Sequence, residues 1–456
     1  MLYTRTQYII LVLCLLVMLF SGMVYSLIAP FYPAEAARKG LTPAEYGIVF
    51  GIYEIVTCIF GIIFGKYTTM FGYKFISVSG WFLIACTTVL FGFLNEVYRH
   101  DLFFIFSLLI RILQGVGQAG INTGILTFLT LEFPAIGATV VAFTESLFGT
   151  GMALGPTIGG ICFDLSGFMM PFVVVGSISL VLAPLLFIFM KSENKETENE
   201  VLEENEDVSI LKVIRIPAVW IGIVAGTSCI TNQGFLAANL EPHLSPLHLS
   251  GFSVGLVFFS MSLVYTFCGP VFGWINDKQV LSPNRCILIG AIMLCLGFLL
   301  LGPINQVYGP PDLVMIIPAM ILVGIGTSAQ VISTLIHIKD CCWNSGLKQS
   351  TGYNGLISGI WVSMLHFGGF IGPSVGGILY QEFGFSVSCV ILVLFNGSIL
   401  IATVLYDIFA RTKAPHSAGE VQPLIDRKLS ETNRRRHVSS FSGTSGFSGV
   451  FDVHKV

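Results

Sequence analysis

The sequence predicts an all-α membrane protein: twelve transmembrane helices in two pseudo-symmetric six-helix bundles. Three observations predict it. Of 456 residues, 54% are hydrophobic and 11% charged, whereas a soluble protein carries about 25% charged residues. Mean hydropathy is +0.82. Apolar windows long enough to cross a bilayer, about 20 residues each, recur along the chain. Finally, "GPTIGGICFDLSGF" (Gly155 to Phe168) is nearly rewritten as "GPSVGGILYQEFGF" (Gly372 to Phe385), 217 positions later (372 − 155).

The first six windows fall near 8–29, 46–67, 75–95, 102–130, 136–162 and 169–190. The first is too long for a signal-peptide core and lacks a clear cleavage site, so it reads as a retained span. Six more fall near 217–240, 252–275, 286–305, 313–337, 352–380 and 386–409. Between the sets stands "SENKETENEVLEENED", Ser192 to Asp207, a solvated acidic linker. The expected organisation is a bundle over 1–191, a linker over 192–211, a second bundle over 212–410 and a disordered tail over 411–456, rich in Ser, Gly and Arg.

Basic residues orient the chain. With both termini cytoplasmic, that side receives Arg5, Lys66, Lys74, Lys191, Lys195, Lys212, Arg215, Lys278, Arg285, Lys339, Lys348 and the tail. The other side receives Arg38, Lys39 and Arg99, in keeping with the positive-inside rule. The 11 cysteines show no metal spacing and read as small apolar packing residues. Asn396-Gly397-Ser398 matches a glycosylation acceptor but falls inside the last window, where it would go unused.

The halves echo each other at three places. "GIIFGKY" at Gly61 is answered by "GPVFGWI" at Gly269, and "QGVGQA" at Gln114 by "VGIGTSA" at Val323; the Gly-Pro stretches are the third echo. An even number of helices per unit makes this a parallel repeat about the membrane normal. Gly151, Gly155 and Gly159 line one face of the fifth helix, as Gly368, Gly372 and Gly376 do on the eleventh. Small residues at this spacing let two backbones approach closely. Pro156 and Pro373 lack the N–H and should bend each helix. One copy would read as ordinary packing; two suggest halves that rock.

These residues resemble the major facilitator superfamily. "GTGMALGPTIGG" is similar to the fifth-helix antiporter motif of its proton-coupled branches, and "RILQGVGQA" (Arg111 to Ala119) to its fourth-helix motif. "GWINDK", carrying Asp277 and Lys278, resembles the gating motif in its second-half copy; the first-half copy, "GKYTTMFGYK", has Thr69 where an Asp is usual. "IAPFYPAEAARKG" (Ile28 to Gly40) and "LEPHL" (Leu240 to Leu244) resemble the vesicular amine transporters, most of all their polyamine branch. The monoamine branch carries acids where this chain has Ser21 and Val362, which argues against monoamines. The resemblance implies proton-driven loading of organic cations into an acidic vesicle, with protons, a small organic cation and lipid as partners.

Ionisable groups inside a span are costly and usually functional. Arg111 lies roughly 13 Å into its helix at about 1.5 Å per residue, near the midplane. It would hold a carboxylate, or else form a structural ion pair. Glu145, ten residues before Gly155, could bind an ammonium when charged or carry a proton when neutral, but not both at once. Glu54 is a second, shallower acid of the same kind. Glu241, before Pro242, reads either as interfacial or as a cation trap at the pathway mouth. Tyr53 and Tyr25 could face amines by cation–π attraction. His337 and His366 could relay protons, though a lone His in an apolar run is more often a packing residue.

No catalytic set, P-loop, metal spacing or nucleic-acid signature is visible, so no enzyme activity or cofactor is expected, and a gradient must drive transport. In the tail, "EVQPLI" places Glu420 four residues before Leu424 and Ile425, an acidic dileucine pattern read by sorting adaptors. Two alternatives stay open: a plasma-membrane drug/proton antiporter or other small-solute carrier, and a non-transporting receptor or scaffold with a carrier fold.

Overall fold

A computed structural model describes residues 4–133, 137–190, 209–304, 311–347 and 351–413. The chain is helical throughout these segments. The long helices are α1 (Arg5–Ser26), α2 (Pro43–Phe71), α3 (Tyr73–Gly92), α4 (His100–Glu132), α5 (Gly137–Ser166) and α6 (Met169–Phe189), then α7 (Pro217–Leu244), α8 (Gly251–Asp277), α9 (Pro283–Leu299) and α10 (Leu313–Asn344). A continuous helical stretch, Thr351–Lys413, closes the described chain. A short helix, Tyr32–Arg38, joins α1 to α2.

Eleven described segments are long and apolar enough to cross a membrane, the last of them 53 residues long. At 1.5 Å per residue that is about 80 Å, far beyond a core about 30 Å thick. Gly384, at φ 74° and ψ 173°, breaks it into α11 (351–383) and α12 (385–413). Gly167, 217 positions earlier (384 − 167), has φ 75° and separates α5 from α6. Only glycine adopts this conformation without strain. The twelve-helix expectation therefore holds, with the helices meeting at equivalent glycines. Residues 1–403 form one compact unit and 404–456 a second, of which 404–413 are described and helical.

The repeat read from sequence is a repeat of packing. A Cβ at Gly151, Gly155 or Gly159 would press on Leu19, Met23 or Leu27 of α1. A Cβ at Gly368, Gly372 or Gly376 would press on Thr227, Thr231 or Phe235 of α7. Each α7 partner lies 208 positions beyond its α1 counterpart (227 − 19, 231 − 23, 235 − 27). Gly115 of α4 likewise meets Tyr53 and Val56 of α2, and Gly324 of α10 meets Met261 and Val264 of α8. Without side chains at these glycines the backbones come into contact, which is how helices associate where no hydrophobic force acts between them. Pro156 and Pro373 stand inside these two helices.

The bundles meet along two seams, α2 with α11 and α5 with α8. Successive spans alternate in direction, so α2 and α8 run from the face opposite the start of α1, here the distal face. Near that face Gly47 and Gly51 touch Pro373, Phe370 and Ser374, and Gly377 touches Pro43. On the other seam Gly160 and Gly251 are in backbone contact, and Gly255 meets Pro156 and Thr157. Helix N-termini are capped across the gap. Asp164 accepts hydrogen bonds from Gly251 N and Phe252 N, both at 2.8 Å. Gln381, its repeat partner 217 positions on, accepts from Ala44 N at 3.4 Å.

Toward the α1-start face the seams part. Gly61 lies on the same face of α2 as Gly47, yet among the described residues nothing stands within 4 Å of where its Cβ would be. The same is true of Gly273 on α8 and Gly359 on α11. Among the described residues, the two seams are in contact near the distal face and apart near the other.

Candidate functional site

Where the closed seams give way to open space, the ionisable side chains gather. Glu54 of α2 is buried at 6% exposure. Its Oε2 lies 2.5 Å from Nδ1 of His366 on α11, so the pair joins the two bundles. Gly369, one turn from His366, leaves room for it, because a Cβ there would meet Glu54 Cγ and Cδ at 2.8 and 2.9 Å. Tyr25 of α1 lies in electrostatic range of Glu54, and the Tyr25 and Tyr53 rings lie 5.4 Å apart.

Glu145 stands on α5, across from this pair. Its side chain is exposed rather than packed in the protein, and it lies in electrostatic range of His366 and of Tyr265 on α8. It therefore faces the space between the bundles rather than lipid. Tyr265 also closes on Gly149, one turn along α5, at 3.9 Å. One histidine thus lies between two carboxylates contributed by the opposite bundle.

Arg111 is buried at 2% exposure. Its guanidinium sits 5.4 Å from the Tyr53 ring centroid, 5.8 Å from Phe91 and 6.0 Å from Phe50, and donates to Gln114 Oε1 at 3.0 Å. Among the described residues no carboxylate lies within ion-pair distance, and its Nε finds no partner. Glu54 is the acid in its electrostatic range. Ring faces hold a guanidinium by cation–π attraction, worth up to about 2 kcal/mol when desolvated. The structure does not join Arg111 to Glu145.

Gln118 organises a neutral network beside these charges. Its Oε1 accepts from Ser21 Oγ at 2.5 Å and Tyr53 Oη at 3.0 Å, and its Nε2 donates to Asn122 at 2.8 Å. Ser21 is thus a hydrogen-bonded neutral residue, while Val362 is 42% exposed. In the second bundle Asn396 bonds Asn232 and Ser228 at 3.0–3.1 Å, and its complete burial bars glycosylation in the folded protein.

Other predicted residues lie elsewhere. Glu241 stands near the distal end of α7, with Arg38 of the short helix Tyr32–Arg38 in its electrostatic range. Asp277 and Lys278 are exposed at the end of α8. His337 meets Ala218 O at 3.1 Å, a packing contact. The side chain of Thr69, most of the acidic linker and the tail signal at Glu420, Leu424 and Ile425 lie outside the described residues. Among the described residues no cluster could hold a metal.

Sequence reasoning did not join His366 to Glu54, nor place Tyr265 and Asp164. A signal was present. The 217-residue offset sets His366 opposite Gly149, Glu145 opposite Val362 and Asp164 opposite Gln381. Where the packing glycines repeat, the ionisable residues do not.

The family model described as Major Facilitator Superfamily matches residues 14–341 and 227–451. The chain belongs to that superfamily. It is 31% identical over 388 residues to a human protein named MFS-type transporter SLC18B1, covering 84% of this chain and 82% of the relative. It is 24% identical over 350 residues to the bovine synaptic vesicular amine transporter, covering 75% of this chain and 62% of the relative. The resemblance to the vesicular amine transporters therefore extends beyond short motifs. Among solved structures, a bacterial homologue of the human lysosomal transporter Spinster, inward-facing and occupied, superposes with a TM-score of 0.67. It shares 15% identity and covers 90% of this chain and 96% of the other, a likeness of fold. The superfamily member described here is a multi-pass membrane transporter, and neither its fold nor its relatives are those of an enzyme.

Proposed function

We propose that this transporter exchanges protons for organic cations, with polyamines as the preferred class, and loads them into an acidic vesicle from the cytosol. The observation that carries this reading is the pair of carboxylates, Glu54 and Glu145, set about His366 of the opposite bundle where the described seams part. A carboxylate that holds an ammonium cannot hold a proton, so one site serves both ions by turns. Two such groups suit a substrate with more than one ammonium. Neutral Ser21 and Val362, where monoamine carriers are expected to have acids, favour polyamines over monoamines. The α1-start face is taken as cytosolic from the distribution of Lys and Arg, which makes the state described here open to the cytosol. The acidic dileucine at Glu420, Leu424 and Ile425 would direct the protein to vesicles.

The test is uptake by purified protein in liposomes acidified inside. Labelled spermidine should accumulate, serotonin should not, and a protonophore should abolish the accumulation. Spermidine uptake undiminished by the protonophore would replace antiport with facilitated diffusion. Uptake of unrelated drugs with no spermidine uptake would favour a drug antiporter.

A further inference from the structure

The seam between α2 and α11 changes character at one place. From Pro43 to Gly51 on α2, and from Phe370 to Gly377 on α11, the two backbones touch. Beyond Cys58, whose Sγ lies 3.9 Å from Ser363 O, nothing described stands near Gly61 or Gly359. Among the described residues, the Glu54–His366 pair is the last tie between ionisable groups before the seam parts. A cation arriving between the parted helices meets Glu54 where His366 already holds it.

We propose that His366 is an internal stand-in for the substrate cation, competing with it for Glu54, so that exchanging one for the other ties or unties α2 and α11. This rests on the organic-cation reading above and assigns the competitor at that site. The charge balance is simple. When His366 takes a proton, it pairs with the Glu54 carboxylate and the substrate ammonium leaves. When His366 loses the proton, Glu54 is left with one negative charge for an ammonium to neutralise. The acidic side supplies the proton that re-forms the tie, so an acidic compartment favours release and a neutral cytosol favours capture. The direction matches vesicle loading.

Among the described residues, Glu54 faces His366 from α2 and Glu145 from α5; Cys58 meets Ser363 O one turn away, and Tyr25, Tyr53 and Arg111 stand behind Glu54. The neighbouring stretch of α7 presents Gly226 and Thr227, neither of which titrates. The repeat supports the assignment. His366 occupies the place that Gly149 holds in the other bundle, so the residue is not needed for the shared helix packing.

Three variants in liposomes test the proposal. In wild type, spermidine exchange at equal pH on both sides should weaken as pH falls from 8, approaching tenfold in apparent affinity per pH unit once a single proton competes. His366→Gln should keep exchange, lose most of that pH dependence, and lose proton-driven accumulation. His366→Lys, a cation that stays charged, should suppress exchange at every pH, and Glu54→Gln should remove both activities. A readout without substrate accompanies these. Spin labels at Tyr98 and Phe383, exposed in different bundles, report the distance across the distal face. Acidification from pH 8 to 5.5 should shift wild type toward the closed distance, and His366→Gln should not respond. The proposal is overturned if His366→Gln keeps both the pH-dependent shift and accumulation at wild-type levels. If wild type exchanges no spermidine at any pH, the polyamine reading falls, and the distance measurement alone decides whether the tie exists.

Discussion

Replacing Asp164 with Ala should unlatch the distal face. The Asp164 carboxylate accepts from two backbone N–H groups at the start of α8, each at 2.8 Å, in a position that also favours negative charge through the helix dipole. A hydrogen bond to a charged group contributes about 1.5–3 kcal/mol. Because this contact is exposed, screening by solvent reduces it, and about 1 kcal/mol per bond is a fair figure. Losing both costs the closed state about 2 kcal/mol, a shift of roughly 30-fold in the closed-to-open ratio at 1.36 kcal/mol per tenfold. Gln381 makes one longer, neutral bond at 3.4 Å, so Gln381→Ala should change the ratio by less than about twofold, since a bond that long adds little. The assay is the distance distribution between spin labels at Tyr98 and Phe383 in substrate-free protein. An unchanged distribution in Asp164→Ala, or equal effects of the two substitutions, would refute the reasoning.

Four other changes carry definite expectations. Glu145→Gln should keep folding and membrane insertion but abolish proton-driven spermidine uptake, while Glu145→Asp retains part of it; wild-type rates in Glu145→Gln would make the carboxylate structural. Arg111→Lys should lose most uptake and thermal stability, because an ammonium does not replace a planar guanidinium held among three rings; a wild-type melting temperature would count against the cage. Gly155→Leu should destabilise the fold by about 1–3 kcal/mol through overpacking against Met23 and Ser26, read as a lower melting temperature. Leu424→Ala with Ile425→Ala should move the protein to the plasma membrane, and continued vesicular residence by microscopy would exclude the tail as the signal.

Much of the fold was legible because the membrane imposes few solutions. Backbone groups in lipid must bond internally, so apolar windows became helices. Gly151, Gly155 and Gly159 read as a packing face because glycine at that spacing has little other use. Their partners on α1 were not legible, since nothing in the sequence says which neighbour a face meets. The site was legible as residue types but not as pairs. Glu54 and His366 lie 312 positions apart, and their meeting depends on two helices from different bundles coming into contact. Arg111 was expected to hold a carboxylate. It is instead surrounded by Tyr53, Phe91 and Phe50, because aromatic faces can stabilise a buried cation and 38 phenylalanines leave no sequence signal for which ones will. Glu241 was read as either an interfacial group or a cation trap at the pathway mouth, and it stands near the distal end of α7 beside the Tyr32–Arg38 helix. Asp164 went unnoticed because its value lies in a cross-bundle cap that the repeat comparison, Asp164 against Gln381, points to only when the differences are studied.

The most direct test of the central claim is proton movement during amine uptake. Purified protein is placed in liposomes acidified inside and loaded with a pH-sensitive dye, and spermidine is added outside. The account predicts saturable alkalinisation of the interior, above that of protein-free liposomes, in step with label uptake and absent from both Glu54→Gln and Glu145→Gln. Spermidine accumulation without alkalinisation, or alkalinisation that survives both substitutions, would contradict exchange at these carboxylates.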